Sequence, residues 1–403
     1  MQAVGIIVEY NPFHNGHAYH LEQAKKQTES DCVIAVMSGH FLQRGEPALV
    51  SKWSRTKMAL DAGADLVIEL PYSFSTQKAD TFASGAVSIL DQLEVHSLCF
   101  GSEHGNIESF LDIIKLLEIH EQELSLQIQH EIKKGNSYPK AVSLALSHII
   151  SEPVALNLTQ PNNILGLSYV KAIKKQLASI KPHTITRIQS HYHDEELSSS
   201  SITSATSIRH ALFQSSLDVN ELANYMPQHV LTSLMDYKKT FGTFHTWEHY
   251  FPFLKYRLMT MSPASLQEIY EIEEGIEYRL LSSIKEATSF EDFINKVKTK
   301  RYTRTRLQRM CVHILTDTSK EQMQPDQSSC SYIRLLGMSA IGRKYINHIK
   351  KRSSVPIVST VSQYKLEDLL IDVKATDVYS LALNEPIRST FLKQEYTLPP
   401  IMK

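Results

Sequence analysis

Short, uninterrupted apolar runs alternate with segments of helical apolar spacing over the first 215 residues of the chain. Such runs are typical of strands buried on both faces, and the intervening segments place apolar residues along one side of a helix. The predicted strands are residues 3–8, 32–37, 65–70, 97–100 and 184–188. This pattern predicts an α/β fold with a Rossmann-like parallel sheet, covered by helices and connected by right-handed crossovers.

The pattern changes near residues 214–220. Beyond them the strand signals fade, apolar residues keep helical spacing, and charged residues become more frequent. We therefore predict an N-terminal α/β domain at residues 1–215 and a mostly helical region at residues 216–403, with the boundary placed to within about ten residues.

Composition narrows the class of protein. Apolar residues make up 42% and charged residues 21% of the 403 positions, as in ordinary globular proteins. No apolar run approaches the roughly 20 residues of a membrane helix, and the N-terminal run lacks the basic flank of a signal peptide. The four cysteines are widely spaced without a CxxC pair, which indicates a reducing compartment. We expect a cytoplasmic protein with no metal site of its own and no membrane partner.

The most informative segment, EYNPFHNGH at residues 9–17, follows the first predicted strand and precedes the first predicted helix. Ligands bind beyond the carboxyl ends of strands in open α/β sheets, and phosphates favour helix N-termini. Gly16 lets the backbone approach a phosphate, while His14 and His17 can donate hydrogen bonds to oxygens whose charge grows in the transition state. The alternative is a surface turn that contains histidines by chance, but the strand–motif–helix context favours a catalytic pair that acts on the α-phosphate of ATP.

This segment resembles the HxGH signature of a superfamily of nucleotidyltransferases. A second segment, SATSIR at residues 204–209, is similar to that superfamily's other signature, which contacts the β- and γ-phosphates. Hydroxyls and free N–H groups of a helix start bind anions, and an arginine adds charge. The alternative is an ordinary N-cap, and Ala205 stands where the superfamily often has a hydroxyl residue.

Longer stretches of the sequence indicate one particular family within this superfamily. The chain contains, in order, GIIVEYNPFHNGHAYHL, VMSGHFLQRGEPAL, KWSRTKMAL, ADLVIELP, FGSE and TKRYTRTRLQRM. Together they resemble the tRNA(Met) cytidine acetate ligases of bacteria. The resemblance implies that ATP and acetate form acetyl-adenylate and pyrophosphate, and that the acetyl group then passes to N4 of the wobble cytidine of elongator tRNA(Met). Mg²⁺ would accompany ATP, coordinated mainly by phosphates and water.

The resemblance also implies a set of nucleotide contacts. They are Ile7, Val8, Glu9, Tyr10, Asn11, Pro12, Phe13, His14, Asn15, Gly16, His17, Ala18, Tyr19, His20, Gly101, Asn162, Arg187, Ile188, Ser204, Thr206 and Arg209. Asn162 could read an adenine or ribose edge or, equally, cap the helix that follows it. The loop at residues 39–51 lies on the same rim, where Arg44 or Lys52 could hold acetate, unless the loop is a lid or simply solvated.

A basic segment marks the C-terminal region. Residues 296–352 hold fourteen Lys or Arg against three acids, whereas the whole chain has a net charge of −1. If Thr303 caps a helix, Arg304 and Arg306 occupy its first turn and oppose the helix dipole, which favours an anion partner. The predicted tRNA contacts are Lys296, Lys298, Lys300, Arg301, Tyr302, Arg304, Arg306 and Arg309, with Tyr302 stacking on a base. A solvated charged face is the alternative, and nothing indicates DNA.

Two other functions remain open at this point. A small-molecule nucleotidyltransferase would use the HxGH pair for adenylyl transfer but would leave the basic segment without a role. A non-catalytic RNA-binding protein would bind tRNA without releasing pyrophosphate from ATP. Product analysis with and without tRNA separates these possibilities.

Overall fold

A mixed β-sheet lies at the centre of the molecule and draws strands from both ends of the chain. The computed structural model describes residues 1–136, 138–149, 156–187, 202–213, 219–323 and 329–403. The strands in these ranges are β1 (Ala3–Val8), β2 (Cys32–Ser38), β3 (Leu66–Leu70), β4 (Ser97–Ser102), β5 (Lys181–Thr186), β6 (Ile333–Met338), β7 (Ile357–Val358) and β8 (Ile401–Met402). Their order is β5-β4-β1-β2-β3-β6-β7, with β8 also pairing with β6.

Helices cover the sheet and build the rest of the molecule. Up to residue 213 they are α1 (Asn15–Gln27), α2 (Lys52–Asp61), α3 (Tyr72–Ser75), α4 (Ala79–Gln92), α5 (Ile107–Ile119), α6 (Glu121–Lys133), α7 (Tyr138–Ile149), α8 (Pro161–Lys175) and α9 (Ala205–Phe213). Later helices are α10 (Gln228–Phe241), α11 (Trp247–Thr260), α12 (Pro263–Gln267), α13 (Ile276–Glu286), α14 (Phe290–Val297), α15 (Arg304–Leu315), α16 (Lys320–Met323), α17 (Ala340–Ile349), α18 (Glu367–Ser380) and α19 (Ile387–Thr397). Within the described ranges, no helix combines the length and apolar character needed to cross a bilayer.

The central strands are apolar because both faces of the sheet are covered. Every residue of β2 is buried. On one face, Ile34 and Val36 pack in the core under α4 and α8, while on the other Val33 and Ala35 pack with residues of α1 and α2. This double coverage explains why the predicted strands read as continuous apolar runs instead of alternating patterns.

The predicted α/β fold with a parallel sheet is confirmed for β1 to β5, which all pair in parallel. The chain after residue 216 is mostly helical, as predicted, but it also returns β6, β7 and β8 to the sheet. β6 pairs antiparallel with β3. The sheet therefore contains strands from both sides of the predicted boundary, and the division of the chain at residue 215 stays a prediction.

A buried ionic network joins the two parts of the chain. The Lys52 Nζ lies 2.8 Å from a carboxylate oxygen of Glu69 in β3 and 2.9 Å from one of Glu395 in α19. Arg334 in β6 lies 3.8 Å from Glu395, and the side chains of both cations are fully buried. Burial lowers the pKa of Lys52, but the carboxylates of Glu395 and Glu69 outweigh it and raise that pKa. Lys52 is thus committed to structure, which removes it as a candidate for holding acetate.

Candidate active site

A cavity of about 540 Å³ opens at the carboxyl ends of β1, β4 and β5. Because parallel strands end on the same edge of the sheet, loops distant in sequence meet there. The predicted nucleotide contacts on its wall are Ile7, Val8, Glu9, Tyr10, Asn11, His14, Gly16, His17, Tyr19, His20, Gly101, Asn162, Arg187, Ser204, Thr206 and Arg209. The structure therefore places most of the nucleotide contacts that the family resemblance implies around one cavity.

Four predicted contacts lie off this wall, and a fifth is not described. Phe13 is fully buried and packs on Tyr10, with ring centroids 4.7 Å apart. Asn15 turns toward the segment before α10, where its backbone N–H donates to the carbonyl of Tyr225 and its side-chain Nδ2 donates to the carbonyl of Asn224, both at 2.9 Å. Pro12, which is buried, and Ala18, which is partly buried against the core beside α1, are also absent from the wall. Ile188 lies outside the described residues.

The two motif histidines form the start of α1. His14 is its N-cap, and its Nδ1 accepts the N–H of Gly16 at 3.0 Å, while Nδ1 of His17 accepts the N–H of His14 at 3.3 Å. The ring centroids lie 3.8 Å apart. Since each Nδ1 accepts a backbone proton, the neutral rings carry their own protons on Nε2. Both residues line the cavity, and their Nε2–H groups can therefore act as hydrogen-bond donors to a ligand there.

Both rings are neutral at physiological pH. Burial, reinforced by the nearby charge of Arg187, lowers the pKa of His14 to about 3. Burial and the neighbouring His14 hold the pKa of His17 well below its ordinary value. A neutral imidazole that cannot accept at Nδ1 is a hydrogen-bond donor, so the pair suits an anion such as a phosphate.

The second signature forms the start of α9. Ser204 caps α9, since its Oγ accepts the N–H of Ser207 at 3.0 Å, and the hydroxyl also lines the cavity together with Thr206. Arg209 donates to the carbonyl of Asn11 at 2.8 Å and lies 3.3 Å from the carboxylate of Glu46. The arginine therefore fastens the HxGH loop to the loop that contains Glu46.

Asn162 is held by a residue that the sequence reasoning did not select. Its Nδ2 donates to Oε1 of Glu103 at 2.7 Å, and the carboxylate of Glu103 also accepts the N–H of Asn163 at 2.9 Å. Glu103 thus caps α8 from the end of β4, so the alternative that Asn162 caps this helix itself is wrong. The signal was present as the acid of the FGSE run, directly after a strand.

The loop from Leu42 to Glu46 is held in place by contacts with Glu9, α11 and α15. The N–H of Gln43 donates to Oε1 of Glu9 at 2.7 Å, and the Trp247 indole donates to the carbonyl of Gly45 at 2.9 Å. Gly45 has a φ of +74° and lies against the backbone of α15. This loop therefore connects α11 and α15 with Glu9, which lies directly before the HxGH loop.

We expect Gly45→Ala to lower the free energy of unfolding by about 2–3 kcal/mol, because a Cβ there meets backbone that cannot move aside. It would lie 2.3 Å from the amide nitrogen of Arg309 and 2.4 Å from the carbonyl carbon of Gln308. Gly242→Ala is the matched control, since Gly242 has a φ of +81° with nothing within 4 Å of its Cβ. Denaturant unfolding of both variants measures the difference, and equal losses would contradict the close approach.

Much of the positive charge of the basic segment is paired with carboxylates, so the segment carries less unpaired charge than its composition indicated. Its arginines pair with acids from the region before α13 and from α14: Arg301 with Glu274, Arg304 with Glu291, Arg306 with Glu273 and Arg309 with Glu271. Lys296 pairs with Asp292, whereas Lys298 and Lys300 are exposed.

The expectation that Tyr302 stacks on a base is corrected. The residue is only 6% exposed, and its hydroxyl donates to the carbonyl of Glu273 at 3.0 Å. Arg306 covers the ring, with its guanidinium carbon 4.8 Å from the ring centroid. The helix nevertheless reaches the active site, because Thr305 and Arg309 of α15 line the cavity.

The chain is similar to known proteins along its whole length. The model of a family described as HIGH Nucleotidyl Transferase matches residues 1–395. A tRNA(Met) cytidine acetate ligase of Geobacillus sp. (strain WCH70) is 52% identical over 404 residues, which cover 100% of both chains. The protein of the same name from Bacillus subtilis (strain 168) is 51% identical over 405 residues, which cover 100% of this chain and 97% of that relative.

Solved structures agree with these relatives. Thermotoga maritima TmcAL in its apo form matches with a TM-score of 0.93 at 32% identity, covering 100% of this chain and 99% of that one. The same Thermotoga protein bound with alpha-thio ATP matches with a TM-score of 0.91 at 32% identity and the same coverage. The chain therefore belongs to the HIGH nucleotidyl transferase family and, within it, to the tRNA(Met) cytidine acetate ligases.

Proposed function

We propose that this protein uses ATP to activate acetate as acetyl-adenylate and then acetylates N4 of the wobble cytidine of elongator tRNA(Met). The observation that carries the proposal is that one cavity is lined both by the HxGH imidazoles and by Thr305 and Arg309 of the helix that bears the basic segment. A nucleotide site and an RNA-facing helix that share a wall suit an enzyme whose activated intermediate is passed directly to RNA. The identity of about 50% to full-length relatives of that name supports the same reaction.

The first step is attack of an acetate oxygen on the α-phosphate of ATP, with pyrophosphate as the leaving group. The Nε2–H groups of His14 and His17 would donate to phosphate oxygens as their charge grows, and the N-terminus of α1 favours the same anion. Arg187, whose charge lowers the pKa of both histidines, lies near enough to add to this field. Positioning and charge stabilisation are sufficient, so no protein nucleophile is needed.

Mg²⁺ would enter this site with ATP. Among the described residues no group of three His, Cys, Asp or Glu side chains is arranged to hold a metal ion. The donor set therefore fits an ion that is held mainly by the phosphates and water, and the ion would offset charge on the triphosphate.

In the second step the cytidine amine would attack the acetyl carbon, and AMP would leave. The partner is an RNA whose backbone meets the basic segment, and we expect neither DNA nor a membrane as partner. We place the reaction in the cytoplasm, since the four cysteines are all free and buried as in proteins of a reducing compartment.

Nucleoside analysis tests the proposal. The protein is incubated with ATP, acetate and unmodified tRNA(Met), and the digested nucleosides are examined by mass spectrometry. We expect N4-acetylcytidine only when all three substrates are present. Adenylyl transfer to a small molecule, with no acetylated nucleoside, would favour the small-molecule nucleotidyltransferase instead, and tRNA binding without pyrophosphate release would favour a non-catalytic binder.

The basic segment leads to a prediction on tRNA affinity. Replacing Lys298 and Lys300 by Ala should weaken tRNA binding about tenfold and make its salt dependence shallower by about one to two units of slope, because two phosphate contacts are lost. Both side chains are exposed, and among the described residues neither forms an ion pair, whereas Arg301, Arg304, Arg306 and Arg309 do. The control is the double change of Lys115 and Lys133 to Ala on α5 and α6, where both lysines are also exposed. Binding titrations at several salt concentrations decide, and equal losses in both double variants would remove the basic segment from RNA recognition.

A further inference from the structure

Glu9 lies directly after β1, in the segment that leads to the HxGH motif. Alternation along β1 places Val4, Ile6 and Val8 in the core beside α1, whereas Ile7 packs with the core on the α4 and α8 face. Glu9 follows Ile7 by two positions and therefore shares its face. Glu9 is one of the residues that line the cavity, and so is Tyr169 of α8.

One carboxylate oxygen of Glu9 is fixed, and the other is available. Oε1 accepts the N–H of Gln43 at 2.7 Å, which orients the carboxyl group. Within the described part of the chain, Oε2 accepts no hydrogen bond, yet it is not among the polar atoms sealed from solvent without a partner. A carboxylate that is oriented by one hydrogen bond, belongs to a residue of the cavity wall and keeps an oxygen that is not sealed from solvent has the geometry of a proton acceptor.

The surroundings of Glu9 hold charges of both signs. Burial raises the pKa of its carboxyl group, and the N–H of Gln43 and the charges of Arg44 and Arg55 partly offset this, while Glu46 adds to it. Tyr169 is the titratable group that faces it from α8. A carboxylate whose pKa lies above its ordinary value is a stronger base than one in water and accepts a proton more readily.

We propose that Glu9 is the general base of the acetyl-transfer step, an inference that rests on the proposed function. The N4 lone pair of the cytidine forms a C–N bond to the acetyl carbon. The bond from that carbon to the phosphate oxygen breaks, and AMP leaves with the electron pair. The proton released from N4 passes to Oε2 of Glu9 and from there to solvent.

Other groups on the cavity wall are less suited to accept this proton. The Nδ1 atoms of His14 and His17 already accept backbone N–H groups, and their Nε2 atoms carry protons. Glu46 is paired with Arg209. Nε2 of His20 has no partner among the described residues, but it is sealed from solvent, so a substrate amine would not reach it.

Separating the two half-reactions tests this role. Acetyl-adenylate formation is followed as acetate-dependent pyrophosphate release without tRNA, and transfer is followed in a single turnover from preformed acetyl-adenylate to tRNA(Met). Glu9→Gln keeps an acceptor for the N–H of Gln43 and the shape of the side chain but cannot take a proton. We expect it to slow transfer at least about 100-fold, and at least about tenfold more than it slows acetyl-adenylate formation, since Glu9 also lines the nucleotide cavity. Glu9→Asp, which keeps a carboxylate, should transfer at least about tenfold faster than Glu9→Gln.

The outcomes are distinct. Transfer by Glu9→Gln at the wild-type rate would overturn the inference, and so would an equal slowing of both half-reactions, because Glu9 would then act in substrate binding. Equal slowing of transfer by the Gln and Asp variants would assign Glu9 a structural role and overturn it as well. If the wild-type protein itself forms no acetyl-adenylate, the proposed function fails, whatever Glu9 does.

Discussion

His14→Asn and His17→Gln are each expected to lower acetate-dependent pyrophosphate release from ATP by about 10²- to 10³-fold while leaving the fold intact. Each change replaces one imidazole Nε2–H donor by a carboxamide, whose N–H groups do not have the position and direction of the imidazole N–H. Asn is a good N-cap and can accept the N–H of Gly16 in place of Nδ1 of His14. Gln at the third helical position can accept the N–H of His14, as in a capping box. The variants therefore isolate the catalytic donor from the structural acceptor on the same ring.

Substitution by Ala would remove the helix cap, at a cost of about 1 kcal/mol, together with the donor, so the Asn and Gln variants separate the two effects more clearly. The matched control is His130→Gln, since His130 is exposed on α6, and it should release pyrophosphate at the wild-type rate. Thermal unfolding checks that all three variants remain folded. A wild-type rate in either active-site variant would show that the imidazole concerned does not stabilise the transition state.

The central sheet and the HxGH site were predictable because their signals are local. Buried parallel strands read as short apolar runs, and the motif directly follows the first of them, so periodicity and spacing place His14 and His17 at the sheet edge. The position of Arg209 on the cavity wall was predictable for the same reason, since its signature is a contiguous helix start.

Interactions between distant segments were not predictable in the same way. Glu103 caps α8 from a position 59 residues away from Asn162 in the chain. The strand β6 was not predicted because it contains the charged residue Arg334, which is buried beside Glu395. Tyr302 lies among cations in sequence but is covered by one of them in space. Tyr302 was assigned to RNA because its buried partner, the carbonyl of Glu273, lies in a distant segment, and Glu103 and Arg334 received no role for the same reason.

Lys52→Met is expected to lower the free energy of unfolding by about 3–5 kcal/mol, because it leaves two carboxylates in a fully buried site with one cation. Lys52 lies within 2.9 Å of Glu69 and Glu395, and the three side chains are at most 5% exposed. Lys174→Met is the control: its partner Glu118 is on the surface, with both side chains about half exposed, so the loss should stay below about 1 kcal/mol. Denaturant unfolding measures both.

Adding Glu395→Gln to Lys52→Met should recover part of the lost stability, because the remaining pair of Arg334 and Glu69 is again neutral overall. The pH dependence gives an independent check. Burial raises the pKa of Glu69, so the folded state of Lys52→Met holds a proton that the unfolded chain releases, and its stability falls as pH rises above the ordinary carboxyl range. We therefore expect the deficit of Lys52→Met relative to the wild-type protein to be larger at pH 8 than at pH 5. A deficit that is the same at both values, with no recovery in the double variant, would mean that the lost stability comes from packing and not from unpaired charge.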